Sequence, residues 1–202
     1  MQEVTNLRER KKTLKRMEII QKTVELFEKS SFDAVTMENI AKECDITKAT
    51  LYKYFPVKES ILVAQWQELI KQNRVKLENI ATANKTTESR LQALMSLSMR
   101  QIMKHRDLYQ IYVSYRLQYL HDYELTKNLR SGIGEAIYEI IRLGQQEGEI
   151  RSDIPIEALI GNFEMLHVMQ SMVWLWNPKG FSAPNSSKML VDLFLHGAQI
   201  NE

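Results

Sequence analysis

Between Thr36 and Phe55 the sequence TMENIAKECDITKATLYKYF carries two short apolar stripes, each opened by a threonine. In the second, Leu51 and Phe55 lie four apart and define one side of a helix. At about 100° per residue, Ala49, Thr50 and Lys53 project away from that side, with Lys48, Tyr52 and Tyr54 on the flanks. A small residue permits close approach, a lysine and a threonine hydroxyl can address base edges, and rim lysines and tyrosines can take phosphates. The chemistry of such a face is recognition in a DNA major groove. The plainer alternative is a helical hairpin whose tyrosines pack and whose lysines are solvated.

Residues for bond-making chemistry are scattered. The chain has no Gly-rich phosphate loop and no G-x-S-x-G elbow. His105, His121, His167 and His196 are far apart in sequence, and Glu124, Glu135, Glu139, Glu157 and Glu164 do not form a cation-binding cluster. Glu164 and His167, at i and i+3, are half of a carboxylate–histidine metal motif without its second copy. A core or interface histidine is the simpler reading, so no metal, cofactor or catalytic residue is expected.

The elements that must position the polar face follow from caps and period. Met37, Ile40, Ala41 and Cys44 form one buried stripe, with Thr36 as N-cap and Glu38 near the positive helix end. Thr47 caps the next helix, and Ile46 and Leu51 bracket that cap as a hydrophobic staple. A preceding helix over about 14–29 places Met17, Ile20, Val24 and Phe27 on one face. Two capped short helices, a staple and a tight link together predict a helix-turn-helix. Before them, Leu7–Arg16 holds six basic residues and one acidic residue, whereas residues 61–202 balance at 15 of each sign. The run is either a solvated helix start or a phosphate-seeking arm.

Few Gly and Pro residues, and long stretches rich in helix formers, predict an all-α chain. Pro56 stops the third helix. A long helix is expected over about 58–83, and others over 88–104, with Thr87 as cap, 107–119, 122–147, 156–176 and 188–200, about nine in all. The domains are expected to be 1–60, a helix-turn-helix unit with its basic arm, and 61–202, a larger helical body. The lone Cys44 excludes an internal disulfide framework. With no apolar core in MQEVTNLRERKK and no membrane-length apolar run, a cytoplasmic protein without membrane association is expected.

Over about Met17–Trp66 the chain resembles the TetR family of bacterial transcriptional repressors. The resemblance rests on LF in the first helix, TMENIA in the second, TLYKYF in the third and KES opening the fourth. It implies that Thr36, Thr47, Lys48, Tyr52 and Lys58 contact backbone phosphates, with Ala49, Thr50, Lys53 and Tyr54 near base edges. The backbone N–H groups at Lys58 would offer a helix N-terminus to a phosphate. Three positions depart from the family pattern. Ser31 and Asp45 stand where glycine is usual, and Asp is among the few residues that tolerate φ > 0. Val57 replaces a capping Ser, Asn or Asp, at a cost of about 1 kcal/mol.

The body offers less specific signals. IEALIGNFEMLHVMQSMVWLW and KMLVDLFLHGAQI are apolar on nearly every side, so each has a face to spare for a partner. This agrees with the dimeric bundle that the resemblance implies, with Leu159, Phe163, Leu166, Val173, Leu190 and Phe194 at the interface and a palindromic double-stranded operator as partner. Met and aromatic residues in mid-chain suit a core or an adaptable pocket. The family's effector cavity would fall near Trp66, Met99, Met103, Tyr109, Tyr112, Met165 and Met169. The expected function is that of a dimeric DNA-binding repressor released by a small apolar or amphipathic effector. The alternatives are a related protein governed by a protein partner or by no ligand, and a metal-dependent helical-bundle enzyme.

Overall fold

The structure, a computed structural model, describes residues 2–129, 132–177 and 183–197. All regular elements among them are helical: α1 Gln2–Lys29, α2 Met37–Glu43, α3 Lys48–Tyr54, α4 Lys58–Gln72, α5 Arg74–Ala83, α6 Thr87–Lys104, α7 Arg106–Leu117, α8 Tyr123–Asn128, α9 Ile133–Gln146, α10 Ile156–Trp176 and α11 Ala183–His196. They form two compact units, Met1–Leu69 and Ile70–Glu202, a division later in α4 than the expected 60/61 boundary.

In the first unit α1 packs on α2 and α2 on α3. Ile19, Ile20, Val24 and Phe27 of α1 are buried, as are Ile40, Ala41, Leu51, Phe55 and Ile61. The expected α1 face therefore holds except at Met17, which is 42% exposed; Ile19 and Thr23 take its place. Thr23 is tolerated in the core because its hydroxyl donates to the Ile19 carbonyl at 2.7 Å. α1 also begins at Gln2, well before the apolar period starts. Leu, Arg, Glu and Lys are strong helix formers, and an exposed helix needs no apolar stripe to continue.

In the second unit α6 is central, packing on α5, α7, α9, α10 and α11. Leu91, Leu94 and Met95 meet Ile133, Ile137, Ile140 and Ile141 of α9, Leu159 and Phe163 of α10, and Leu190 and Val191 of α11. Several helix limits differ from the sequence expectation. The helix expected over 58–83 breaks at Asn73, and that expected over 122–147 breaks before Gly132, whose φ of 91° belongs to the left-handed region. Thr86, not Thr87, caps α6 by a reciprocal box with Ser89. Thr87 is buried instead, and its N–H donates to Glu149. Arg90 ties the same corner by a two-pronged bond to Glu147 and by its Nε to the carbonyls of Ala81 and Asn84. The expected last helix, 188–200, starts earlier, at Ala183, and positions 198–200 lie outside the described residues. No helix among the described residues is long and apolar enough to cross a membrane.

Candidate nucleic-acid interface

The turn between α2 and α3 is built as its sequence suggests. The Thr36 hydroxyl accepts from the Asn39 N–H at 3.1 Å, and the Asn39 side chain accepts from the Thr36 N–H at 2.9 Å, a reciprocal capping box. At the other end of α2, Asp45 has φ 51°. Its N–H bonds to the Lys42 carbonyl and that of Ile46 to the Ala41 carbonyl, which together make a Schellman motif with aspartate at the left-handed position. Thr47 then caps α3 by accepting from the Thr50 N–H at 3.1 Å, and the two hydroxyls lie 2.9 Å apart.

This scaffold leaves one side of α3 open. Ala49 and Lys53 are exposed, Tyr52 is half exposed, and Thr50 and Tyr54 are partly covered, whereas Leu51 and Phe55 are buried. Lys48 pairs with Glu38 at 2.7 Å across the turn. That bond raises the Lys48 pKa and holds the Glu38 carboxyl below its usual range. The solvent face of α3 thus carries a methyl group, a lysine and two tyrosines on a rigid mount.

Two lysines of α1, Lys15 from the basic run and Lys22 beyond it, hold the mount in place. Lys15 and Lys22 of α1 reach the last carbonyls of α2, donating to Cys44 O and Glu43 O at 3.0 Å each. Cations there satisfy orphan acceptors and complement the negative helix end. Glu18 lies between them, at 3.0 Å from Lys15 and 3.3 Å from Lys22, and its pKa is lowered, chiefly by the Lys15 bond. Spacing alone places 15, 18 and 22 on one face of α1, but their acceptors are backbone atoms far along the chain. Lys58 differs from its expected use as a phosphate contact. Its ammonium donates to the carbonyls of Phe32 and Val35 at 2.8 and 3.2 Å and sits 4.1 Å from the Phe32 ring centroid. The side chain is thereby committed to the loop before α2. Val57 leaves α4 without a side-chain cap, and Ser60 turns back onto the Val57 carbonyl.

In the body, α10 carries a buried polar row at Glu164, His167 and Ser171, spaced i, i+3, i+7. Glu164 lies 3.5 Å from Arg116 of α7, both deeply buried. His167 Nε2 is 3.0 Å from Ser98 Oγ of α6, and burial, aided by the Arg116 charge, pushes its pKa down to about 4. Ser171 donates to the Val168 carbonyl and stands 3.0 Å from the Tyr109 hydroxyl, whose pKa burial raises well above its ordinary value. Tyr112 donates to the Leu129 carbonyl at 3.0 Å. No group of three or more His, Cys, Asp or Glu side chains among the described residues is arranged to hold a metal ion.

The residues expected at an effector pocket divide. Met99, Tyr109 and Tyr112 are buried in the body and Met165 is partly so; Trp66 is buried on α4, in the first unit. Met103 and Met169, 45% and 48% exposed, face solvent rather than the interior. The expected dimer residues divide too. Leu159, Phe163 and Leu190 belong to the subunit's own core, and Phe163 packs edge-to-face on Phe194 at 4.8 Å. Leu166, Val173 and Phe194 are partly exposed. A helix apolar on all sides gives no sign of which side turns inward, and the neighbouring helices decide it.

Residues 19–64 match the family of bacterial regulatory proteins named tetR. Two Bacillus subtilis proteins, the uncharacterized HTH-type transcriptional regulators YuxN and YerO, are similar over 89 and 95 residues, at 27% and 30% identity. The segment that carries α2 and α3 is thus similar to the DNA-binding segment of TetR-family transcriptional regulators. The aligned segments cover 44% and 46% of this chain but only 31% and 33% of those two relatives, about a third of their length. Its fold extends the likeness. FadR of Thermus thermophilus, a transcriptional repressor solved with lauroyl-CoA, superposes with a TM-score of 0.82 at 21% identity, over 93% of this chain and 96% of that one. FadR of Bacillus subtilis, solved with stearoyl-CoA, gives 0.67 at 19% identity, over 91% and 99%. At such identities the likeness is one of fold. The family is one of regulators rather than enzymes.

Proposed function

We propose that this regulator is a homodimeric repressor that binds a palindromic operator through α3 and releases it when an amphipathic acyl-CoA thioester occupies the body. The observation that carries the ligand class is the fold shared with the lauroyl-CoA-bound repressor over nearly the whole chain. The interior supports it. The body's core is built of Leu, Ile, Met and Phe side chains, the type an acyl chain packs against, and the Ser98–His167 and Tyr109–Ser171 pairs are hydrogen-bonding groups within the same unit. Dimerisation is supported by an apolar stripe left open on α10, Met165, Leu166, Met169, Val173 and Trp176, and by Met189 and Leu193 on α11. In this reading Ala49, Lys53 and Tyr54 meet base edges. Thr36, Thr47, Lys48, Tyr52 and the N–H groups opening α4 meet phosphates, with Thr50 reading from a hydroxyl already oriented by Thr47. Ligand releases DNA only if it binds the DNA-free arrangement more tightly, and α4 is the helix that runs from one unit into the other.

The test recovers an operator from a random duplex pool and follows its binding by fluorescence anisotropy while lauroyl-CoA, free CoA or laurate is added. Lauroyl-CoA is expected to displace DNA and, at a hundred times its dissociation constant, to add about 2.7 kcal/mol of stability. An operator complex that acyl-CoAs of any chain length leave unchanged overturns the ligand class.

A further inference from the structure

The basic run near the N-terminus is more than a charged tail. Arg8, Lys11, Lys12 and Lys15 fall at i, i+3, i+4 and i+7 of α1, so the helix gathers them on one face. With Glu9 of α1 and Tyr54, the last residue of α3, they line an open groove of about 590 Å³. Four cations against one carboxylate give the groove a net positive charge. Lys15 is anchored by Glu18 and the Cys44 carbonyl. Arg8, Lys11 and Lys12 are exposed and make no ion pair with a described residue.

We propose that this groove is a second DNA-binding site of the subunit, which seats the phosphodiester backbone of the strand flanking the half-site read by α3. The inference rests on the DNA-binding reading above and extends it to residues upstream of the family match, which starts at residue 19. Two observations select nucleic-acid backbone as the occupant. Tyr54 belongs to both surfaces, so the groove continues the α3 face without a gap. The basic face from Arg8 to Lys15 also extends about 10 Å at 1.5 Å per residue. That length matches about three backbone charges of one strand, spaced about 3.4 Å along the axis. A rigid helix presents these cations already ordered, whereas a flexible arm would lose that freedom on binding. Because phosphates carry no sequence information, the groove adds affinity and register but no base preference.

The test compares full-length wild type, an R8A/K11A/K12A variant and an R10A variant, each titrated against the recovered operator and a scrambled duplex at several salt concentrations. Arg10 is exposed on the same stretch of helix but does not line the groove, so it controls for a general loss of charge. The triple variant should weaken both duplexes alike and lower the slope of log K against log salt by about 2.7 per subunit, or about 5 in a dimer, with base preference unchanged. R10A should leave the slope near the wild-type value. A slope that the triple variant does not change, or that R10A lowers as much per charge removed, overturns the groove. Failure of the wild type to bind any duplex at low salt overturns the underlying DNA-binding reading instead. Circular dichroism of each variant checks that the total helix content stays at the wild-type value.

Discussion

Acidification should weaken the body through His167. The imidazole is buried against Ser98, its pKa pushed down to about 4 by burial and by the Arg116 charge, from an ordinary 6.5. Between those values the unfolded chain holds a proton that the folded body rejects, so stability is complete above about pH 6.5 and declines as pH falls toward 4. At about 1.4 kcal/mol per pH unit, the loss is about 2 kcal/mol at pH 5 and about 3 kcal/mol near pH 4. Glu18, Glu38, Glu149 and Asp153, whose pKa values are lowered by hydrogen bonds, also contribute to acid sensitivity, at the lower end of this range. A His167→Gln variant separates the two effects, because the amide can still bond Ser98 but does not titrate. Urea unfolding followed by far-ultraviolet circular dichroism from pH 7.5 to 5 is the assay. The wild type should lose about 2 kcal/mol more than the variant over that interval. Parallel stability curves for the two proteins would refute a neutral buried imidazole.

Other substitutions test the remaining assignments. Lys58→Ala removes two charge-assisted bonds to loop carbonyls and should lower stability by about 2 kcal/mol in thermal melts, while leaving the salt slope of DNA binding intact. Lys53→Ala should relax preference at one base pair per half-site, by about 1–3 kcal/mol, with non-specific binding unchanged; an equal loss on operator and scrambled duplexes would make Lys53 a phosphate contact. A Cβ added at Gly134 would lie 2.6 Å from Glu164 Oε1, so Gly134→Ala should displace that carboxylate from Arg116 and cost about 1–3 kcal/mol in urea unfolding. Phe163→Ala should cost about 3–5 kcal/mol of subunit stability. Met169→Glu with Trp176→Glu should instead leave folded subunits that light scattering finds monomeric.

Where the controlling interactions are local, sequence alone determined the structure. Thr36 and Thr47 cap their helices through N–H groups three residues on, and Asp45 turns the chain because its own backbone tolerates positive φ. Such contacts need no knowledge of the rest of the fold, so the solvent-facing side of α3 followed from helical period and its caps. Long-range packing decided the rest. Whether Thr86 or Thr87 caps α6 depends on Glu149, more than sixty residues away. Nothing local to Lys58 foretells that its ammonium bonds the Phe32 and Val35 carbonyls, which lie more than twenty residues back along the chain. The basic run acquires a groove only because α1 passes beside Tyr54. In α10, apolar residues surround the helix, so Phe163 turned inward and Met169 outward for a reason found only in α6, α9 and α11. A side chain's type states what it can bond or bury, and the tertiary structure selects the partner.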